Sequence, residues 1–237
     1  MVGNKESIDS SKVHNVAEML ADRFLKENSL TNTFCGAGLE LIVQKQGIHL
    51  MYKSIEDQAF YGMSATGKGN RFIGINTFHN KRTITFSIAC GLWYFYSKTE
   101  LSDDLNYSKI ENEQAADHFA TALLLPEDRV ETIYLHNKKD GWGELDILFL
   151  IADLSYCPYQ AVYHRFVELE LSVREIETHL KDPDLRTDKV LAENALENKF
   201  IHLRSLYGRP SKSPLDYPEK MNGFPGLMHI MKKLTKE

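Results

Sequence analysis

The stretch ITFSIACGLWYFYS, Ile84–Ser97, decides how this chain is read. It carries no formal charge and no proline, and it reads as a helix enclosed by other elements rather than one lying on a surface. Phe86, Ile88, Ala89, Leu92 and Phe95 suit a packed helix. One residue disagrees. Gly91 costs about 1 kcal/mol in helix stability against alanine, and the sequence offers no reason for it beyond close packing beside Trp93.

A buried helix needs a domain around it. The chain has 237 residues, 43% hydrophobic and 26% charged, enough for one large domain or two small ones with a sizeable core. The net charge of −5 argues against a general nucleic-acid binder. No apolar run approaches the roughly 20 residues of a membrane helix, and the opening MVGNKESIDSS lacks the apolar core of a signal peptide. Cys35, Cys90 and Cys157 are odd in number and far apart, so no disulfide framework is expected and a reducing, cytoplasmic setting fits.

Upstream of Ile84, the runs IHLMY (48–52), AFYGM (59–63) and RFIGIN (71–76) predict a small antiparallel sheet, with the turn-like TGKGN between the last two. Gly67-x-Gly69 has no helix directly after it and is not read as a phosphate cradle. Ahead of the sheet, Val13, Val16, Ala17, Leu20 and Phe24 recur at helical spacing after an Asp9-Ser10 start. A second helix around Ala37 to Gln46 buries Leu39, Ile42 and Val43 and stops at Gly47.

Downstream, SKIENEQAADHFATALLLP opens on Ser108 and Glu111 as a capping box, buries Ile110, Ala116, Phe119, Ala120, Leu123 and Leu124, and ends at Pro126. Helices near Glu144–Leu154 and Pro158–Leu169 are separated by SYC, with Pro158 in a first-turn position. Another is expected from about Thr187 to Tyr207, and after a proline-rich linker a short helix carries Leu227, Ile230, Met231 and Leu234.

Two buried helices, the second with a glutamate in its first turns, match a known catalytic layout. In zincin peptidases a helical His-Glu-x-x-His places two imidazoles on one face for zinc, and the glutamate deprotonates the bound water. RTITFSIACGLWYFY resembles the active-site helix of ImmA/IrrE family metallopeptidases, where Arg and then Phe-Ser/Thr-Ile-Ala precede His-Glu-Leu-x-His. ENEQAADHFATALLLP is similar to that family's Glu-x-x-Ala-Asn/Asp-x-Phe-Ala…Leu-Leu-x-Pro segment, the most specific of the signals. LIADLSYCPYQAVYHRFVELEL resembles the helical pair that follows the peptidase core. The resemblance covers residues 13–172. It implies an α+β, mainly helical fold with a zincin-like core over 13–136, its small antiparallel sheet and a helix-turn-helix-like pair; the sequence pattern extends that pair into a helical segment over 142–207 and adds a linker with a short helix over 208–237.

Carried over residue by residue, the resemblance puts Cys90 where the first His ligand stands, Gly91 in place of the general-base Glu, and Tyr94 in place of the second His. Glu113 matches the third ligand and is expected as its remnant. A Cys90 thiolate would be a good zinc ligand, but a Tyr94 phenolate must ionise from a reference pKa of about 10. Gly91 has no side chain to accept a proton, a role worth about 10²–10⁴-fold. No cofactor is therefore expected, and zinc belongs only to the alternative reading, an active metallopeptidase with Cys90 and Glu113 as unusual ligands. Asp117, one turn beyond Glu113, reads as a polar helix residue, and His79 and His118 as surface or hydrogen-bonded histidines.

The expected function is that of a catalytically inactive pseudopeptidase acting by protein binding, with a helix-turn-helix repressor or a toxin–antitoxin-like counterpart as the partner the resemblance implies. Phe72, Ile73, Gly74 and Ile75 are expected to present an edge strand to an extended peptide. Direct DNA binding by the pair at 144–171 is not expected, because Glu144, Asp146, Asp153, Glu168 and Glu170 oppose a single Arg165 there. Residues 199–237 carry a net charge of +5, leaving −10 for the rest; this reads as solvated charge or a docking segment.

Overall fold

The computed structural model describes residues 10–100, 109–182 and 195–206. Helical spacing in Ala17, Leu20, Ala21 and Phe24, all fully buried, gives α1 (Ser10–Glu27). A 3-10 turn at Gly36–Gly38 leads into α2 (Leu39–Lys45), which ends where Gly47 adopts φ +71°. Three strands follow: β1 (Ile48–Lys53), β2 (Gly62–Gly67) and β3 (Asn70–Asn76). The remainder is helical: α3 (Lys81–Glu100), α4 (Lys109–Leu124), α5 (Glu127–Lys139), α6 (Glu144–Ser155), α7 (Tyr159–Glu168), α8 (Arg174–Leu180) and α9 (Ala195–Leu206). The fold is mainly helical α+β. Among the described residues no helix is long and apolar enough to cross a membrane.

The sheet corrects the expected topology. Its order is β1-β3-β2, with β1 parallel and β2 antiparallel to β3, so it is mixed rather than wholly antiparallel. Phe72, Ile73, Gly74 and Ile75 therefore do not lie on an edge. They form the central strand, whose backbone groups are taken up on both sides. The second strand also begins later than AFYGM suggests, at Gly62. Asn76 explains the shift. Fully buried, its Nδ2 donates to the carbonyls of Ile55, Asp57 and Phe60, and its Oδ1 accepts from the amides of Ile55 and Phe78. That hub folds residues 55–60 into a loop before pairing starts.

Period-two alternation sends Ile73 and Ile75 inward against α3, whose Ile88, Ala89 and Leu92 are fully buried. The same apolar cluster continues through α4, α6 and α7 to Phe200 and Leu203 of α9. Two of these helices, α5 and α8, go unassigned by the sequence reading. Helix α5 starts directly after Pro126, with Glu127 and Asp128 in its first turn and His136, Lys138 and Lys139 in its last, the charge order a helix dipole favours. Helices α6 and α8 cap each other: Glu144 accepts the amide of Glu175 at 2.9 Å, and Glu175 accepts that of Glu144 at 2.5 Å. Ser108 and the side chain of Glu111, on which the expected capping box rests, the stretch 187–194 and everything from Tyr207 onward lie outside what the structure describes.

A charged network joins α1, α4 and α7. The Arg165 side chain, only 3% exposed, donates to both oxygens of Glu18 (2.7 and 3.2 Å), to Glu168 (3.2 Å) and to the Leu125 carbonyl (3.1 Å). His118 bridges the same carboxylates, at 3.0 Å from Glu18 and 3.3 Å from Glu168, and stacks on His14 with ring centroids 4.5 Å apart. Burial alone pushes the Glu18 carboxyl up, but the His118 and Arg165 hydrogen bonds outweigh it and hold the group at about 2. Burial likewise disfavours the charged imidazole, yet Glu168 and Glu18 raise His118 to about 9.

The sign of the pH dependence follows. Glu18, depressed from 4.5, contributes stability present above about pH 4.5 and lost as pH falls toward 2. His118, raised from 6.5, contributes stability present below about pH 6.5 and lost as pH rises through 9. Denaturant midpoints should therefore peak between about pH 4.5 and 6.5 and fall on both sides. His118→Gln should flatten the alkaline limb, removing on the order of 2 kcal/mol, and should soften the acid limb through the bond lost to Glu18; an unchanged alkaline limb in urea titrations would refute the assignment.

Candidate functional site

Helix α3 turns one stripe away from the core. Thr83, Ser87, Cys90 and Tyr94 recur every three or four residues and form one wall of a cleft of about 1320 Å³. Helix α4 supplies the opposite wall through Glu113, Asp117 and Thr121, at the same spacing, and Tyr61–Ser64 form a third side at β2. His118, Gln160, His164 and Glu197 close the floor from α4, α7 and α9. The structure thus brings Cys90, Gly91, Tyr94 and Glu113 to one cleft. It leaves Phe72, Ile73, Gly74 and Ile75 out of the lining, and the open strand beside the cleft is β2.

At the centre, the Cys90 thiol donates to Asp117 Oδ1 at 3.5 Å. Burial, reinforced by the Asp117 charge and hydrogen bond, pushes the thiol well above its ordinary value. Asp117 is raised in turn, first by burial and further by the neighbouring Glu113 charge, against a lowering contribution from the thiol. Both effects disfavour a thiolate at Cys90. Tyr94 is committed elsewhere: Lys98 donates to its hydroxyl at 2.7 Å and lies 4.0 Å from its ring centroid. Trp93, buried, donates from its indole nitrogen to Asn112 at 2.6 Å and ties α3 to α4.

Gly91 has a reason after all, and Trp93 is not it. A Cβ built on Gly91 would lie 2.9 Å from Ile73 Cγ2, 3.0 Å from Ser64 Oγ and 3.1 Å from Ile73 Cδ1. Ser64 also donates to the Gly91 carbonyl at 3.0 Å. Helix and sheet pack closely here, and a side chain at 91 would have to displace Ile73 or Ser64. Ser64 is the functional neighbour the sequence reading misses; only the period-two alternation of β2, once its register is known, marks it as facing α3.

These residues do not fit zinc. The Cys90 thiol is bonded to Asp117, the Tyr94 hydroxyl accepts from Lys98, no imidazole stands at either position, and a side chain at 91 would press on Ser64 and Ile73. Among the described residues no group of three or more His, Cys, Asp or Glu side chains is disposed to hold a metal ion.

The helix-turn-helix-like pair is equally committed. Helices α6 and α7 meet at 114°, an angle such motifs use. The cation Arg165 is nevertheless buried in its ion pairs, while Asp153 is bound by Arg82 and Arg204.

Comparison with known proteins adds the ancestry. The IrrE N-terminal-like domain matches residues 43–166. No curated protein sequence matches the chain. Among solved structures, a Mycobacterium tuberculosis transcriptional regulator superposes with a TM-score of 0.48 at 17% identity, over 65% of this chain and 57% of that one. The chain thus spans a little over half the length of that regulator.

The close approach at residue 91 has a measurable sign. Gly91→Ala gains about 1 kcal/mol of helix propensity but overpacks Ile73 and Ser64, which typically costs about 1–3 kcal/mol. The variant should be less stable than the parent in guanidinium unfolding; a more stable one would show that the sheet yields easily.

Proposed function

Because this chain belongs to the IrrE N-terminal-like domain family, we propose that it is a peptidase-derived regulatory protein that holds a protein partner in its cleft without cutting it. The observation that carries this reading is the Cys90 thiol bonded to Asp117 beside a close-packed position 91. Hydrolysis by the family's scheme would need a base at position 91 and imidazole ligands at 90 and 94, and glycine, cysteine and tyrosine stand there instead. Binding needs less. The cleft is large, keeps polar and aromatic walls, and has a strand edge beside it. Glu113 is read as the remnant of the third ligand, retained at the cleft wall.

A helix-turn-helix repressor is a partner of the class that the family suggests, and regulation by sequestering it is the simplest mechanism. Contact with DNA by the chain itself is disfavoured by the burial of Arg165. The three cysteines are free and two are buried, which suits a reducing compartment such as the cytoplasm.

Zinc decides between this reading and an active metallopeptidase using Cys90 and Glu113. Calorimetric titration at neutral pH should show no stoichiometric zinc binding, and the melting temperature should not rise with added metal. One equivalent of tightly bound zinc, lost in Cys90→Ser, would overturn the proposal in favour of the hydrolase.

A further inference from the structure

The electrostatics of the cleft are one-sided. Its lining holds the carboxylates of Glu113, Asp117, Glu168 and Glu197 and, among the described residues, no lysine or arginine. Glu168 is answered from below by Arg165 and His118, and Glu197 accepts the amide of Gln160 at 2.8 Å. Glu113, which has interactions of its own, and Asp117 remain one turn apart on α4, close enough for the charge on Glu113 to raise Asp117. Like charges at that spacing destabilise a helix, and a cation brought between them relieves the repulsion.

The strand beside these carboxylates is open. The Asn76 amide donates to the Tyr61 carbonyl at 3.0 Å, which fixes the phase of the ladder. Hydrogen-bonded pairs alternate in an antiparallel ladder. The backbone groups of Met63 and Ala65 therefore turn toward β3, and those of Gly62, Ser64 and Thr66 turn outward. Gly62 and Ser64 lie in the cleft wall. An extended chain laid along this edge would project alternate side chains toward α4.

Resting on the reading that the cleft binds a partner, we propose that its occupant is a lysine- or arginine-rich segment, added as a strand to the outer edge of β2 with its cations at Asp117 and Glu113. Main-chain pairing supplies affinity in this mode and the side-chain pockets supply specificity. Charge complementarity supplies the choice: the portion of the chain ahead of residue 199 carries −10, so a basic segment is drawn in and an acidic one repelled. Phe86 and Tyr94 offer the intervening apolar surface.

Fluorescence anisotropy on the full chain tests this with short capped peptides of alternating Lys-Val, Ser-Val and Glu-Val. The Lys-Val peptide should bind about tenfold tighter than Ser-Val, and Glu-Val more weakly still. Methylating alternate amides of Lys-Val should weaken it about tenfold, which diffuse attraction to an acidic surface would not produce. The double variant Glu113→Gln, Asp117→Asn, checked by circular dichroism to be folded, should bring Lys-Val down to the affinity of Ser-Val while leaving Ser-Val binding in place. Lys-Val binding that survives this variant, or the amide methylation, overturns the proposal. Equal binding of Lys-Val and Ser-Val overturns the charge selectivity while leaving the cleft as a peptide site. Binding by none of the three overturns both.

Discussion

A guanidinium taken out of water must be met by carboxylates and carbonyls, or the fold pays several kcal/mol for it. Arg165 sets this condition for the molecule. To satisfy it, Glu18 has to arrive from α1, Glu168 from the next turn of α7, and the free carbonyl of Leu125 from the end of α4. Three helices distant in sequence are thereby fixed at one point. His118 joins the two carboxylates from the remaining side and carries the floor of the cleft with it. The cleft walls inherit their spacing from this junction, because α4 bears both His118 and the row Glu113, Asp117 and Thr121.

The same logic explains what holds the walls of the site together. In a zincin the ion cross-links two helices. Here the links are protein to protein: Cys90 to Asp117, Trp93 to Asn112 across α3 and α4, and Ser64 to the Gly91 carbonyl between helix and strand. Each is a modest hydrogen bond, about 1 kcal/mol in net terms. Together they hold three walls in register.

How much of this was legible in the sequence depends on the range of the interaction. The burial of α3, the end of α2 at Gly47 and the α6–α7 corner follow from local pattern and turn chemistry, and they stand as read. The motif spacing placed Cys90, Gly91, Tyr94 and Glu113 along two helices, and the structure brings all four to one cleft. Strand order was not legible, since RFIGIN reads equally well as a central or an edge strand until its partners are known. The role of Ser64 was hidden for the same reason. So was that of Asn76, an ordinary strand-end asparagine in one dimension and the hub of a loop in three. Helix α5 was missed because Pro126 ends one helix and begins the next.

The close approach at Gly91 also constrains which substitutions the molecule can absorb. With Ile73 and Ser64 against a position that has no side chain, any residue added there has to displace one of them, and both belong to strands of the one sheet. The cost of a change at 91 is therefore felt in the sheet, whereas a change at Thr83 or Ser87 meets the open cleft. Packing of this kind leaves the rim of the cleft open to variation while residue 91 stays fixed.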